Sequence, residues 1–167
     1  IKGPDLSFIS FVSNGQLFPI CLLEEINIET KKGIMMPKGF KTHNSDNNNW
    51  MQKAHNIAKK IISKFNIKCS PLMISLRPDC KNNLKLIEVH LDMGGDHLIE
   101  VFYPIALPFD FVKFAVKIAT GKAKALNDFN VKPTAIYYEG SITSGNHKIL
   151  TANSAQILEE KILKVNV

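Results

Sequence analysis

Apolar and polar positions alternate with period two along several stretches of this chain, and with period 3.6 along others. Leu6 to Ser13 and Leu17 to Glu24 read as strands on either side of Asn14-Gly15, a dipeptide suited to the left-handed conformation of a tight hairpin turn. Pro19 places the second strand at an edge or at a bulge, because proline has no amide to give a ladder. From Ile28 to Asn49 the pattern gives way to lysines, glycines, Met35-Met36-Pro37 and a run of asparagines, which reads as a long loop. Trp50 to Phe65 then carries an apolar stripe through Trp50, Ala54, Ile57, Ala58, Ile61, Ile62 and Phe65. The lysines lie off that stripe, so this is a helix, with Asn48 or Asn49 available to cap it. A second hairpin runs from Leu72 to Arg77, turns through Pro78 to Asn83, and resumes at Leu84. An apolar stretch from Leu98 to Leu107 follows, then a helix over Phe109 to Ala119, with Asp110 as its cap and Gly121 past its end. Ala135 to Tyr138 and Lys148 to Leu150 read as short strands around a turn at Ser144-Gly145-Asn146, and Ser154 to Leu163 as a closing helix. The order β-β-loop-α-β-β-α-β-β-α predicts an α+β fold, a largely antiparallel sheet with flanking helices.

One stretch joins this pattern to chemistry. In Leu84 to Asp96, L-K-L-I-E-V-H-L-D-M-G-G-D, a strand places residues i, i+2 and i+4 on one face. Glu88, His90 and Asp92 therefore point the same way, with Leu84 and Leu86 behind them. Ile87, Val89, Leu91 and Met93 turn to the opposite face, expected to be buried. Acidic side chains are seldom buried unless paired, so three aligned groups able to bind a metal are hard to explain by packing.

Composition narrows the function classes. At 167 residues the chain holds one domain with a proper core. The net charge of +6 is carried by lysine, with Arg77 as the only arginine and no basic patch interleaved with aromatics, so nucleic acid is not the expected partner. No apolar run approaches the ~20 residues of a membrane span, and no signal peptide opens the chain. Cys21, Cys69 and Cys80 are odd in number and lack C-x-x-C spacing, which fits unpaired thiols in the reducing cytoplasm. The start, Ile1-Lys2-Gly3-Pro4, has no initiator methionine and reads as a piece of something longer.

These elements together resemble a known family. Hairpin, lid-like loop, long helix and a hairpin ending in I-E-x-N-x-R-x-G-G are the order of the C-terminal half of ATP-grasp ligases, in the carbamoyl-phosphate-synthetase-like branch. Here that motif reads Ile87-Glu88-Val89-His90-Leu91-Asp92-Met93-Gly94-Gly95-Asp96. The opening Gly3-Pro4-Asp5-Leu6-Ser7 is similar to the family's G-x-E-x-S strand. On this reading residues 1–125 are the ATP-grasp C-terminal lobe and 126–167 a β-rich or helical tail.

The resemblance implies an ATP- and Mg²⁺-dependent ligase that makes an acyl phosphate from a carboxylate, then lets an amine or thiol displace it. It implies a metal site at Glu88, His90 and Asp92, nucleotide contacts from His90, Arg77, Lys31 and Lys32, and a partner in the family's N-terminal lobe, which is not in this sequence, so that this piece alone is expected to be inactive. Three positions depart from the pattern. The other metal carboxylate falls on Ser75 or Leu76, the asparagine is His90, and the phosphate-contacting arginine is Asp92. Histidine suits Mn²⁺ better than Mg²⁺. The alternative is a non-catalytic ligand- or partner-binding domain on a degenerate ATP-grasp scaffold.

Overall fold

The computed structural model describes residues 3–29, 33, 35–43, 49–123 and 128–138, and the backbone of Ile162–Lys164. Among these, seven strands form one sheet in the order β5-β4-β1-β2-β3-β6-β7. The strands are β1 (Leu6–Ser13), β2 (Gln16–Glu29), β3 (Met35–Thr42), β4 (Cys69–Pro78), β5 (Leu84–His90), β6 (Ala135–Tyr137) and β7 (Ile162–Lys164). Every neighbouring pair is antiparallel except β6 with β7. Helix α1 (Trp50–Phe65) covers one face; the other carries α2 (Tyr103–Ala106), the π-helical turn Leu98–Phe102 that leads into it, and α3 (Phe111–Ala119). The α+β architecture with a largely antiparallel sheet is thus the one the sequence pattern predicts.

The β1–β2 turn is the expected one, with Asn14 at φ 51° and Gly15 at φ 75°. Pro19 sits opposite Ser10 just past a register shift, ahead of Leu23, where β3 begins to pair. Its missing amide therefore breaks no ladder bond to β3. Two cores result. Leu6, Phe8, Leu72, Ile74 and Leu76 meet the α1 stripe, while Ile9, Phe11, Leu23 and Phe40 meet Phe102, Tyr103, Phe111 and Phe114.

Several expectations fail for physical reasons. Within the stretch read as a loop from Ile28, Ile28 and Glu29 end β2 and Met35–Thr42 form β3, held by Ile28↔Met36 and Glu29↔Met35 pairing and by β6 on the far side. Lys31, Lys32 and Asn48 lie outside the described residues. Asn49 does occupy the cap of α1, but in the left-handed conformation and with no side-chain cap bond. Trp50 is anchored instead by Asn82, whose Oδ1 accepts from Nε1 at 2.5 Å. Phe65, counted in the apolar stripe, is 69% exposed because α1 runs past the sheet there. Asp110 caps α3 as expected, accepting from Lys113 N at 2.8 Å. Ile162–Lys164 is a strand, so the closing helix does not reach Leu163, and residues 139–161 lie outside the described part.

The largest correction concerns β5. It is the edge strand, and Ile87, Val89 and Leu91 are exposed rather than buried, with only Met93 half-buried. A bulge also interrupts it. Ser75 pairs with Glu88 but Leu76 with Leu86, leaving Ile87 as the extra residue. One inserted residue reverses the parity, so Leu84 and Leu86 lie on the α1 face and not behind Glu88.

Candidate functional site

Among the described residues, helices cover one end of the sheet face opposite α1. Its Phe11 end lies under α2 and α3, while its other end carries Ser75, Arg77, Asp5, Glu25, Glu88 and His90. Strand β4 explains the division, because Leu72, Ile74, Leu76 and Pro78 are buried towards α1 and Met73, Ser75 and Arg77 alternate to the opposite side. The Cα register carries this across the sheet: Ser7 pairs with Ser75, Ser75 with Glu88, and Met73 with His90.

Glu88, His90 and Asp92 do meet, as period two requires. His90 lies between the carboxylates, its Nε2 3.0 Å from Glu88 Oε1 and its Nδ1 3.8 Å from Asp92 Oδ2. Both acidic side chains remain about 60% exposed, at 59% and 60%. Asp92 is also a turn residue, its Oδ1 accepting from Gly94 N at 2.9 Å while Gly94 takes φ 84°. Ser75 Oγ stands 3.5 Å from Glu88 Oε1, and Leu76 is fully buried on the other face. Of the two positions open to the second carboxylate, the one facing the site is therefore Ser75. Among the described residues no three histidine, cysteine or acidic side chains are grouped to hold a metal ion. Glu88 and Asp92 carry hard oxygens of the kind Mg²⁺ takes, but the His90 imidazole stands between them.

Arg77 is paired with Asp5. Its Nε donates to Asp5 Oδ1 at 2.6 Å, its Nη2 contacts the same oxygen, and Asn27 Nδ2 donates to Asp5 Oδ2 at 3.1 Å. A two-pronged pair of this kind is among the stronger side-chain interactions, and it holds the guanidinium over β1. Glu25 belongs to the same face, opposite Phe40 in the register. Burial raises its carboxyl above the usual range, and the Asp5 and Asp96 carboxylates raise it further, against lowering by the Asn27 amide and Arg77. Tyr138 closes this side by donating to Asp96 O at 2.5 Å. Asp5, Glu25, Asn27 and Tyr138 were not singled out from sequence. The available signal was the acidic pair Glu24-Glu25 directly after the apolar run Leu17 to Leu23.

The raised carboxyl has a consequence for stability. A carboxyl that binds its proton more tightly folded than unfolded favours the fold below the unfolded value, about 4.3 for glutamate. That contribution is lost as pH rises through the folded value. Glu25→Gln should therefore raise the melting temperature at pH 7, with the difference vanishing below about pH 4. Parallel thermal melts would show it, and a variant less stable at pH 7 would contradict it.

Solved structures share this fold. The chain matches the L-amino acid ligase of Bacillus licheniformis with TM-score 0.59 and 14% identity, over 70% of this chain and 29% of that one. It matches N5-carboxyaminoimidazole synthetase of Staphylococcus aureus, complexed with ADP, with TM-score 0.60 and 15% identity, over 79% and 33%. It also matches the biotin carboxylase domain of the Hydrogenobacter thermophilus 2-oxoglutarate carboxylase, in complex with MgADP and bicarbonate, with TM-score 0.54 and 14% identity, over 79% and 28%. The fold is that of ATP-grasp ligases. This chain spans about a third or less of the length of these neighbours. No protein-family model and no curated protein matches the sequence. Among the described residues no helix is long and apolar enough to cross a membrane. Cys21 is buried, Cys69 and Cys80 are exposed, and all three are free.

Proposed function

We propose that this chain forms the C-terminal part of an ATP- and Mg²⁺-dependent ligase that joins a carboxylate to an amine or thiol through an acyl phosphate. The observation that carries the reading is the exposed Glu88 carboxylate. It lies on the sheet face opposite α1, at the end away from α2 and α3, within the fold of ligases captured with ADP and MgADP. Glu88 and Asp92 would hold the magnesium, which when bound neutralises phosphate oxygens and draws electron density from the transferring phosphorus. His90 stands between the two carboxylates and would have to turn aside for both to reach one ion. This face needs such a cation, because Asp5, Glu25, Glu88, Asp92 and Asp96 crowd it and Arg77 is committed to Asp5. The lysines of residues 31 and 32 and a further lobe, in this or another chain, would supply the remaining phosphate contacts. The setting is the cytoplasm.

A second reading is favoured by Ser75 and by the Asp5–Arg77 pair, namely a non-catalytic ligand- or partner-binding domain on a degenerate scaffold. A hydroxyl where a second carboxylate would stand weakens metal binding, and an occupied arginine is lost to phosphate. The deciding experiment is ADP release by the protein as its own cell expresses it, with ATP, Mg²⁺ or Mn²⁺, and pooled carboxylates and amines. Release that needs both substrates, and that falls roughly 100-fold or more in Glu88→Ala, is expected for the ligase. Full activity in Glu88→Ala would remove the site assignment, and no release with either metal would leave the second reading.

A further inference from the structure

A cavity of about 670 Å³ lies far from Glu88, where the β1–β2 turn meets the C-terminal end of α1 and the link into β4. It is on the α1 side of the sheet, and the six residue steps of β1 from Ser7 to Ser13 separate it from the Glu88 end by about 20 Å. Its walls are tied together: Gly15 N donates to Lys68 O at 3.0 Å, and Asn66 and Ile67 both donate to Ile62 O. Leu17 and Ile62 give it a buried apolar floor.

The polar lining has one sign. Lys59 and His55 come from α1, Lys68 from the link to β4, and Asn14 and Gln16 from the turn. Among the described residues that line it, none is acidic. Burial first, and then Lys59, lowers the affinity of His55 for a proton. The charged group felt by His55 is Lys59 on its own helix, and Lys68 from the β4 link lines the same cavity, while the turn contributes no charge. A helix C-terminus disfavours an anion nearby. Here that effect is weakened, because the Ile62 carbonyl already accepts two amides.

We propose that this cavity binds a small organic anion, a carboxylate or phosphate monoester with an apolar body that rests on Leu17 and Ile62 while Lys59 and Lys68 hold its oxygens. The volume falls in the range of small-molecule pockets, and the lining is an open, mainly polar rim over the Leu17 and Ile62 floor. The Lys59 and Lys68 ammonium groups make charge-assisted bonds, each contributing roughly a tenfold gain in affinity.

The test is an amide and imidazole NMR titration of the chain with benzoate, phenyl phosphate, inorganic phosphate and, as neutral control, benzyl alcohol. Saturable shifts confined to residues 14–17, 55–63 and 66–68, with a rise in the His55 pKa, are expected for benzoate or phenyl phosphate. Inorganic phosphate should bind more weakly for want of an apolar body. Lys59→Met and Lys68→Met should each weaken binding about tenfold, with spectra that stay dispersed to show the fold intact. Lys59→Glu should abolish it. Shifts equal for benzyl alcohol, unchanged in the lysine variants, or absent up to about 10 mM ligand would overturn the proposal. So would a short single-stranded oligonucleotide that binds these residues far more tightly than either organic anion.

Discussion

Gly39→Ala should unfold the β3 side of the sheet or cost the chain roughly 3 kcal/mol. Gly39 lies in β3 at φ 150°, a conformation that L side chains rarely adopt. A β-carbon built there would overlap the Ile136 carbonyl oxygen and come within 3.0 Å of Tyr137 Cα, both in the backbone of β6. Backbone in a paired strand cannot swing aside as a flexible side chain can. Relief requires β6 to leave β3, and with it the pairs Gly39↔Tyr137, Phe40↔Ile136 and Lys41↔Ala135. Gly95→Ala is the matched control, because a β-carbon there meets nothing within 4 Å. Urea unfolding followed by tryptophan fluorescence would compare the two. Equal midpoints would show that the β3–β6 contact does not contribute to the cooperative fold.

Phe11→Ala is expected to cost about 3–5 kcal/mol, most of the stability of a marginal domain. Phe11 is fully buried and joins the sheet to the helical layer. Its ring centroid lies 4.9 Å from that of Phe111, tilted, and 5.3 Å from that of Phe114, edge-on. Such aromatic pairs contribute about 0.5–1.5 kcal/mol each beyond the area they bury. Truncation removes both pairs and leaves a hole that close-packed neighbours cannot fill. Phe11→Leu, nearer in volume, should cost markedly less. The two substitutions are ranked by the same urea midpoints, and a Phe11→Ala midpoint equal to that of Phe11→Leu would contradict the packing argument. Loss of this layer would also release the Gly94–Gly95 turn, since Tyr103 packs on Phe111 with ring centroids 4.1 Å apart. Its hydroxyl lies 3.7 Å from where a Gly94 β-carbon would sit.

Some elements were readable because their causes are local. Asn14-Gly15 sets positive φ through its own chemistry, Asp110 caps α3 with its own carboxylate, and the α1 stripe follows the helical period whatever it packs against. Strand β3 was not readable in this way. Its sequence, M-M-P-K-G-F-K-T, has weak alternation and contains both proline and glycine. It is a strand because β2 and β6 lie on either side of it and take up its backbone bonds.

The candidate site divides along the same line. Period two alone brought Glu88, His90 and Asp92 to one face, and this survived because the bulge at Ile87 falls before Glu88. The same bulge removed Leu84 and Leu86 from that face, and a bulge leaves no clear mark in composition. Arg77 illustrates the limit of local reading. Its partner Asp5 is 72 positions away, so only the pairing of β1 with β4 could reveal that the guanidinium is engaged.

By itself, then, the sequence determined the α+β class, the first hairpin, both main helices and the shared face of Glu88 and His90. Each of these depends on backbone preferences and hydrophobic periods that act over a few residues. Only the tertiary structure decided that β5 is an edge strand with its apolar residues exposed, that β3 lies inside the sheet, and that Ser75 rather than Leu76 faces Glu88. Those outcomes depend on which strands pair and in what register, and register is fixed by contacts between residues far apart in the chain.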